Sequence, residues 1–160
     1  MLYTGDTMTN FFSWFRKIIL TILLSFLFSG SSLATENGAI QVNIKGINVD
    51  LGGSLIIALF HTEGSWPKHD SALARKVAPV SEDSIQIKFD QITLHNTYAV
   101  QVLHDENQND KLDFRWFPYP RPEEGTGVSN NNRRMGPPSF EKALFSAENP
   151  ETNIEINLKY

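Results

Sequence analysis

Apolar and polar residues alternate along much of the chain after residue 39. This period of two is typical of a strand with one buried face. A further segment, residues 54–61, is almost continuously apolar, which predicts a strand buried on both faces. Residues 143–147 suggest a weaker strand. The alternating apolar positions are Ile40, Val42 and Ile44; Ile85, Ile87 and Phe89; Tyr98, Val100, Val102 and His104; and Ile154, Ile156, Leu158 and Tyr160.

Turn signals separate these segments, and no segment has a convincing helical period. Six or seven short strands of this kind predict an all-β fold, an antiparallel β-sandwich of about seven strands. Residues 68–80 fit either one helical turn or a loop that ends in a brief edge strand, where Pro79 would be tolerated. Tyr98 follows a turn, so it could hydrogen-bond back across that corner, as in many Ig-like sandwiches, or simply fill the core. Asn96 is the residue of this turn that suits a left-handed conformation.

The N-terminal segment has a different character. Arg16 and Lys17 precede a short apolar run at residues 18–28, and Ser32 and Ala34 supply small residues for cleavage after position 34. This pattern predicts a secretory signal peptide at residues 1–34, a single β-sandwich domain at residues 35–160, and a periplasmic or secreted location. A retained N-terminal anchor is the alternative, since aromatic residues extend the apolar character upstream.

Composition narrows the classes of partner and chemistry. The net charge of −4 gives no electrostatic basis for binding nucleic acid, and no polybasic patch favours a membrane after signal cleavage. The chain has no cysteine. Disulfides, zinc–thiolate sites, cysteine nucleophiles and a lipid-modified cysteine are therefore excluded.

Oxygen-bearing residues fall on alternate positions just after the strand that ends near His104. Asp105, Asn107, Asn109, Lys111 and Asp113 occupy positions 1, 3, 5, 7 and 9 of a calcium-type loop, with Lys111 contributing only its carbonyl oxygen. Calcium takes six to eight oxygens, which such a loop supplies from alternate residues. With only two carboxylates at ligand positions, the predicted affinity is weak, with Kd about 10⁻⁴–10⁻³ M.

The match to a calcium loop is incomplete. Asp110 stands at position 6, where a sharp turn prefers glycine, and Trp116 stands at position 12, where the usual ligand is glutamate. Glu123 or Glu124 could fold back to complete the shell. The alternative is an Asx-rich turn that holds itself together without metal.

The segment at residues 114–139 has no periodicity, and a loop of this length inside a domain is usually functional or disordered. Its aromatics could form a small satellite core held in place by the cation, or a surface for a protein, peptide or glycan ligand. They are Phe114, Trp116, Phe117 and Tyr119.

Histidines supply a competing chemistry. His61 and His104 both end apolar runs, so the pair could bind copper or zinc if their strands are neighbours. A metal-dependent enzyme would use His104, Asp105 and His61, although lone histidines at strand ends are more often structural. No serine or other nucleophile is placed by a motif, so a hydrolase has little support.

Three motifs stand in order along the second half of the chain. They are His104-Asp105-Glu106-Asn107 with Asn109 and Lys111-Leu112-Asp113; Glu124-Gly125-Thr126-Gly127-Val128-Ser129-Asn130-Asn131; and Gly136-Pro137-Pro138-Ser139-Phe140-Glu141-Lys142-Ala143. In this order they resemble the bacterial exported family called domain of unknown function 2141. The resemblance spans about residues 40–160 and implies an Ig-like or transthyretin-like sandwich, with no established activity. The family's loop usually has glycine where Gln108 and Asp110 stand, and a Pro-Gly turn where His95-Asn96 stand.

These patterns together predict an exported β-sandwich that acts as a non-enzymatic binding or structural module. Its calcium-type loop at residues 105–113 would order the segment at residues 114–139.

Overall fold

The structure, a computed structural model, describes residues 36–131 and 138–160, so the predicted signal peptide lies outside the described residues. One helix, α1 (Phe140–Ala143), accompanies the strands. No helix in the described ranges is both long and apolar enough to cross a membrane. The strands are β1 (Asn37–Lys45), β2 (Ser54–Phe60), β3 (Ala74–Pro79), β4 (Ser84–Thr93), β5 (Asn96–Asp105), β6 (Phe114–Arg115), β7 (Arg121–Pro122), β8 (Thr126–Val128), β9 (Phe145–Ala147) and β10 (Glu151–Asn157).

Two sheets face each other across the main core. One sheet has the order β10-β1-β4, and the other has the order β3-β2-β5-β8, with β9 also pairing with β5. Strands β6 and β7 form a separate two-stranded hairpin. The all-β sandwich predicted from the alternating pattern is confirmed, because the apolar face of each sheet is buried against the other. The core includes Ile40, Val42 and Ile44 of β1, Phe89 of β4, Ile156 of β10, Leu55, Ile57 and Leu59 of β2, and Tyr98, Val100 and Val102 of β5.

Strand β2 is buried on both faces, as its continuous apolar run predicted. Its second face supports a smaller core on the outer side of the sheet. Ala58 and Phe60 pack there with Ala99, and the half-buried Trp66 and Phe140 cover them. The Trp66 indole N–H donates to the Pro138 carbonyl at 2.8 Å, which ties the covering segments to each other.

The pairing of β1 with β10 differs from the antiparallel prediction. These strands run parallel, with Ile40 opposite Thr152 and Ile44 opposite Ile156, whereas β1 and β4 are antiparallel. A parallel pair needs a long connection, and here β1 and β10 are the first and last strands of the described chain. Periodicity reports which face is buried but carries no information on strand direction.

Several boundaries also differ from the prediction. The last strand ends at Asn157, and the predicted weak strand at residues 143–147 begins only at Phe145. Residues 68–80 form a 3-10 turn (His69–Ser71) followed by the edge strand β3, which agrees with the loop-and-edge alternative.

The corner before β5 contains the predicted tyrosine contact. The Tyr98 hydroxyl donates to the Thr93 carbonyl at 3.0 Å, so the corner interpretation is confirmed. The left-handed residue of this turn is His95, with φ 60°, and the prediction of Asn96 is therefore wrong by one position. Asn96 already belongs to β5, where an extended backbone is required.

Candidate functional site

The candidate site begins where β5 ends, at Asp105. This carboxylate is only 2% exposed. Its Oδ1 accepts the Asn109 backbone N–H at 3.0 Å, and its Oδ2 accepts the Asp110 N–H at 2.9 Å. The chain therefore turns back around Asp105, as a cation loop does around its first ligand.

The two asparagine side chains of the loop converge on Asp113. The amide groups of Asn107 and Asn109 donate to its Oδ2 at 2.7 and 2.9 Å. Their oxygens accept backbone N–H groups, from Asn109 at 3.0 Å and from Lys111 at 2.8 Å. These are Asx turns, so local hydrogen bonds hold the loop together, although the buried Glu106 Oε1 has no hydrogen-bond partner. The structure thus places the four predicted ligand side chains, Asp105, Asn107, Asn109 and Asp113, in one hydrogen-bonded loop. A cation would need both amides to turn their oxygens toward Asp113.

A third carboxylate reaches the loop from the neighbouring segment. Glu124 folds back so that its Oε1 accepts the Glu106 N–H at 3.0 Å and its Oε2 accepts the Asp113 N–H at 3.1 Å. Of the two glutamates that could complete the shell, Glu124 is the one near it. Glu123 instead forms an ion pair with Arg115 at 2.8 Å.

The position of Glu124 is electrostatically unfavourable. Burial raises its pKa above the ordinary value, the N–H groups of Asp113 and Glu106 oppose that rise, and the charges of Asp113 and Asp105 add to it. Among the described residues, no lysine or arginine forms an ion pair with these three carboxylates. Within the part of the chain that the structure describes, these three carboxylates therefore concentrate negative charge without an ion-pair partner.

The composition of this site fits a hard divalent cation. Three carboxylates, two amide side chains and the Lys111 carbonyl supply enough oxygens for calcium. Each carboxylate oxygen has two acceptor sites, so an oxygen that accepts one N–H can still contact an ion.

Two residues of the loop have a backbone conformation that favours glycine. Gln108 and Asp110 adopt left-handed conformations, with φ 58° and 63°. Glycine is the residue that adopts this conformation without a steric penalty, so both positions would favour glycine. Asp110 points away from the loop, pairs with Arg75 and accepts the His69 Nε2–H on its carbonyl at 3.0 Å.

The histidines of the competing hypothesis are far apart. Strands β2 and β5 pair with Phe60 opposite Ala99 and Leu55 opposite His104. His61 and His104 therefore lie at opposite ends of this pair, roughly 20 Å apart at the usual rise per residue. His61 Nδ1 bonds to the Thr97 carbonyl at 2.9 Å.

His104 is fully buried and has a structural role. Its Nε2 bonds to the Gly52 carbonyl at 2.6 Å, and its Nδ1 bonds to the Tyr160 hydroxyl at 2.7 Å. No local pattern predicts this contact, because Tyr160 is distant from His104 along the chain and its position matches the last residue of an alternating strand.

The hairpin β6–β7 lies directly after the loop, and its aromatic residues are exposed. Trp116 is 74% and Phe117 85% exposed, and Phe114 and Tyr119 are also exposed. These four aromatics therefore do not form the satellite core that was one of the two alternatives. The aromatic hairpin, residues 114–122, instead exposes these rings, of which Phe114 and Trp116 lie 6.2 Å apart between centroids.

The segment after this hairpin holds the fold together through its polar side chains. The buried Ser129 hydroxyl donates to the Ala143 carbonyl at 2.5 Å and accepts the Val100 N–H at 3.0 Å. Asn130 donates to the carbonyls of Lys142 and Leu144, at 3.1 and 2.7 Å. These bonds join β5, β8 and α1.

The family described as "Uncharacterized protein conserved in bacteria (DUF2141)" matches residues 42–155. The chain belongs to this family. The resemblance drawn from the three motifs is thereby confirmed, and DUF2141 brings no assigned activity. No curated protein and no solved structure matches the chain.

Within this DUF2141 chain, the glycines of the second motif serve packing. A Cβ on Gly125 would lie 2.5 Å from the Tyr160 ring, and a Cβ on Gly127 would lie 2.5 Å from the Ile156 side chain. Both positions therefore need glycine for close approach. The glycines of this motif are therefore architectural, whereas its first residue, Glu124, reaches the 105–113 loop.

Proposed function

We propose that this DUF2141 protein is an exported, non-enzymatic binding module whose loop at residues 105–113 binds calcium. The ion would lie among Asp105, Asn107, Asn109, the Lys111 carbonyl and Asp113, with Glu124 beside them. The observation that carries the proposal is that three carboxylates border one loop, two of them almost fully buried, with no cationic partner in the described residues. Their oxygens do not all lie within 4.8 Å of one another, a closeness found among the described residues for His69, Asp70 and Asp110, so an ion would have to draw them together. Buried charges are ordinarily paired or bind metal.

The aromatic hairpin is the proposed ligand surface. It begins one residue after Asp113, and the Glu123 N–H donates to the Asp113 carbonyl at 2.9 Å, so both ends of the hairpin meet the loop. An ion that fixes Asp113 would therefore also fix the base of the hairpin. Exposed aromatic rings suit a protein, peptide or glycan ligand.

Thermal unfolding in calcium and in chelator tests the cation. A site with Kd about 10⁻⁴–10⁻³ M adds about 1.4–2.7 kcal/mol at about 10 mM calcium, because the ion binds only the folded state. The unfolding midpoint should rise by roughly 5–10 °C. Magnesium should give a smaller shift, because it dehydrates reluctantly and needs stricter geometry. Identical midpoints in calcium and in chelator would contradict the proposal.

A matched pair of variants locates the ion. Glu124→Gln removes the charge that faces Asp105 and Asp113, so the calcium shift should largely disappear. Glu123→Gln makes the same chemical change one residue away, in a side chain that pairs with Arg115, and should retain the shift. If Glu124→Gln does not fold, Asp113→Asn provides the same test. An equal calcium shift in all variants would place the ion elsewhere.

The pH dependence has a defined sign. Because the folded-state pKa of Glu124 is raised, its contribution to stability is present below the ordinary value of 4.5 and is lost as pH rises through the raised value. Calcium needs the ionised carboxylate. The calcium-induced shift should therefore be smaller near pH 5 than near neutral pH.

Trypsin cleavage after Lys111 and Arg115 should also slow in calcium if the ion orders the hairpin.

A further inference from the structure

A cavity of about 210 Å³ lies against the outer face of the β3-β2-β5-β8 sheet. Its floor is formed by residues whose side chains point away from the main core, on the opposite face of the sheet. They are Ile56 and Ala58 of β2, and Gln101 and Leu103 of β5. Three of these four are fully or almost fully buried, and only Gln101 is polar. The second face of β2 is thus covered incompletely, with a pocket beside the smaller core.

Two separate segments form the walls of this cavity. Pro67 and His69 come from the loop before β3, and Leu112 and Phe114 come from the end of the calcium-type loop and the start of the aromatic hairpin. The His69 ring bonds to the Asp110 carbonyl at 3.0 Å, so the two walls are joined. A cavity with walls held in this way is already formed before a ligand arrives.

Two polar groups on the lining have unused hydrogen-bonding capacity. A carbonyl only accepts, so the His69 nitrogen facing Asp110 must carry the proton, and Nδ1 of the neutral ring is then an acceptor. The Gln101 side-chain amide makes no hydrogen bond to any residue that the structure describes. An otherwise apolar lining with a few such groups is typical of small-molecule sites.

We propose that this cavity binds a single aromatic ring that carries a hydroxyl group, the chemistry of a phenol. The volume supports one ring, because an apolar protein cavity of about 150 Å³ holds benzene. The remaining space admits the hydroxyl and one more small substituent. The hydroxyl would donate to His69 Nδ1 and accept a hydrogen bond from the Gln101 amide. This inference goes beyond the proposed calcium site and does not depend on it.

The test is a titration of the full chain with p-cresol, followed by amide chemical shifts in two-dimensional NMR, in chelator and in calcium. Saturable shifts should appear at Gln101, Leu103 and Leu112. Toluene has the same ring and methyl group without the hydroxyl, so it should bind about fivefold more weakly or worse, since one hydrogen bond contributes about 1 kcal/mol. N-acetyl-tyrosinamide distinguishes the source of the ring. If it binds, the ligand is a tyrosine side chain of a polypeptide; if it does not bind while p-cresol does, the ligand is a free phenol.

Three variants make the test specific. Ala58→Leu fills the floor of the cavity and should abolish p-cresol binding; Leu112→Phe narrows it from the wall if the first variant does not fold. Gln101→Met keeps the volume but removes the amide, so it should weaken p-cresol severalfold and leave toluene unchanged. Gln86→Met is the matched control on the other sheet. The proposal is overturned if p-cresol gives no saturable shift, or if these shifts persist unchanged in both cavity-filling variants.

Discussion

Removal of one hydroxyl group at the end of the chain should destabilise the whole sandwich. The Tyr160 hydroxyl accepts the Asn48 N–H at 2.8 Å and bonds to His104 Nδ1 at 2.7 Å. His104 Nε2 faces the Gly52 carbonyl at 2.6 Å, and since that carbonyl only accepts, Nε2 carries the proton of the neutral ring. Nδ1 must then accept the tyrosine O–H. Tyr160→Phe would leave this buried nitrogen without a donor.

The expected loss of stability in Tyr160→Phe depends on which contacts of Tyr160 the phenylalanine ring still makes. The phenylalanine ring would still pack edge-on against the His104 ring, at 5.7 Å between centroids, so little apolar burial is lost. Asn48 is exposed, so water can replace the lost acceptor there. The cost is therefore that of one unsatisfied buried acceptor, about 1–3 kcal/mol. For a domain of this size, the unfolding midpoint should fall by roughly 4–12 °C.

Urea and thermal unfolding of Tyr160→Phe and Tyr119→Phe form the assay. Tyr119 is exposed on the aromatic hairpin, and its hydroxyl makes no hydrogen bond to any residue that the structure describes. Tyr119→Phe removes the same atom, so its unfolding midpoint should equal that of the parent protein. Equal midpoints for the two variants would refute the structural role of the hydroxyl.

Alkaline pH provides an independent measure of the same contact. Burial raises the pKa of Tyr160 above 10.0, the Asn48 N–H opposes the rise, and the Glu106 charge adds to it. A raised folded-state pKa contributes stability that is present below the ordinary value and lost as pH rises through the raised one. The parent protein should therefore lose more stability above pH 10 than Tyr160→Phe does. Parallel alkaline profiles would contradict this.

Two further substitutions probe the motif and the loop. Ser129→Ala leaves the buried Val100 N–H without its acceptor and should cost about 1–3 kcal/mol in urea unfolding, whereas Ser146→Ala on an exposed position should cost little. Gln108→Gly should raise stability by about 0.5 kcal/mol, because relief of the left-handed strain, about 1–2 kcal/mol, exceeds the added chain entropy of glycine. A lower midpoint for Gln108→Gly would mean that the Gln108 side chain stabilises the loop.

The alternating pattern carried most of the information on the fold. A period of two identifies the buried face of each strand, so positions such as Val42 and Ile87 could be assigned to the interior without a structure. Pairing is a different kind of information. The contact between β1 and β10 depends on how the ends of the described chain approach each other, and no local pattern encodes that direction.

The candidate site likewise has parts that could be predicted from the sequence and parts that could not. Asp105 to Asp113 was recognisable because its ligand-type residues are close in sequence, and the hydrogen bonds among them are local. Glu124 could be suggested but not separated from Glu123, because only the packing of the following strand decides which of two adjacent carboxylates turns inward. The cavity could not be predicted from the sequence. Its lining comes from four separate segments, and its residues lie either on the outer faces of β2 and β5 or in stretches without a periodic pattern.

The use of the polar motif residues limits where binding or chemistry can occur. Ser129, Asn130 and Asn131 are the most motif-like polar side chains of the second half, yet each is committed to backbone groups of β5, α1 or β10. His104 is committed in the same way. A ligand that used these side chains would have to replace the backbone hydrogen bonds that they already make. Ligand contacts are therefore expected from groups with unused capacity, which are the exposed rings of the aromatic hairpin, the carboxylates of the loop, and the His69 and Gln101 groups of the outer cavity.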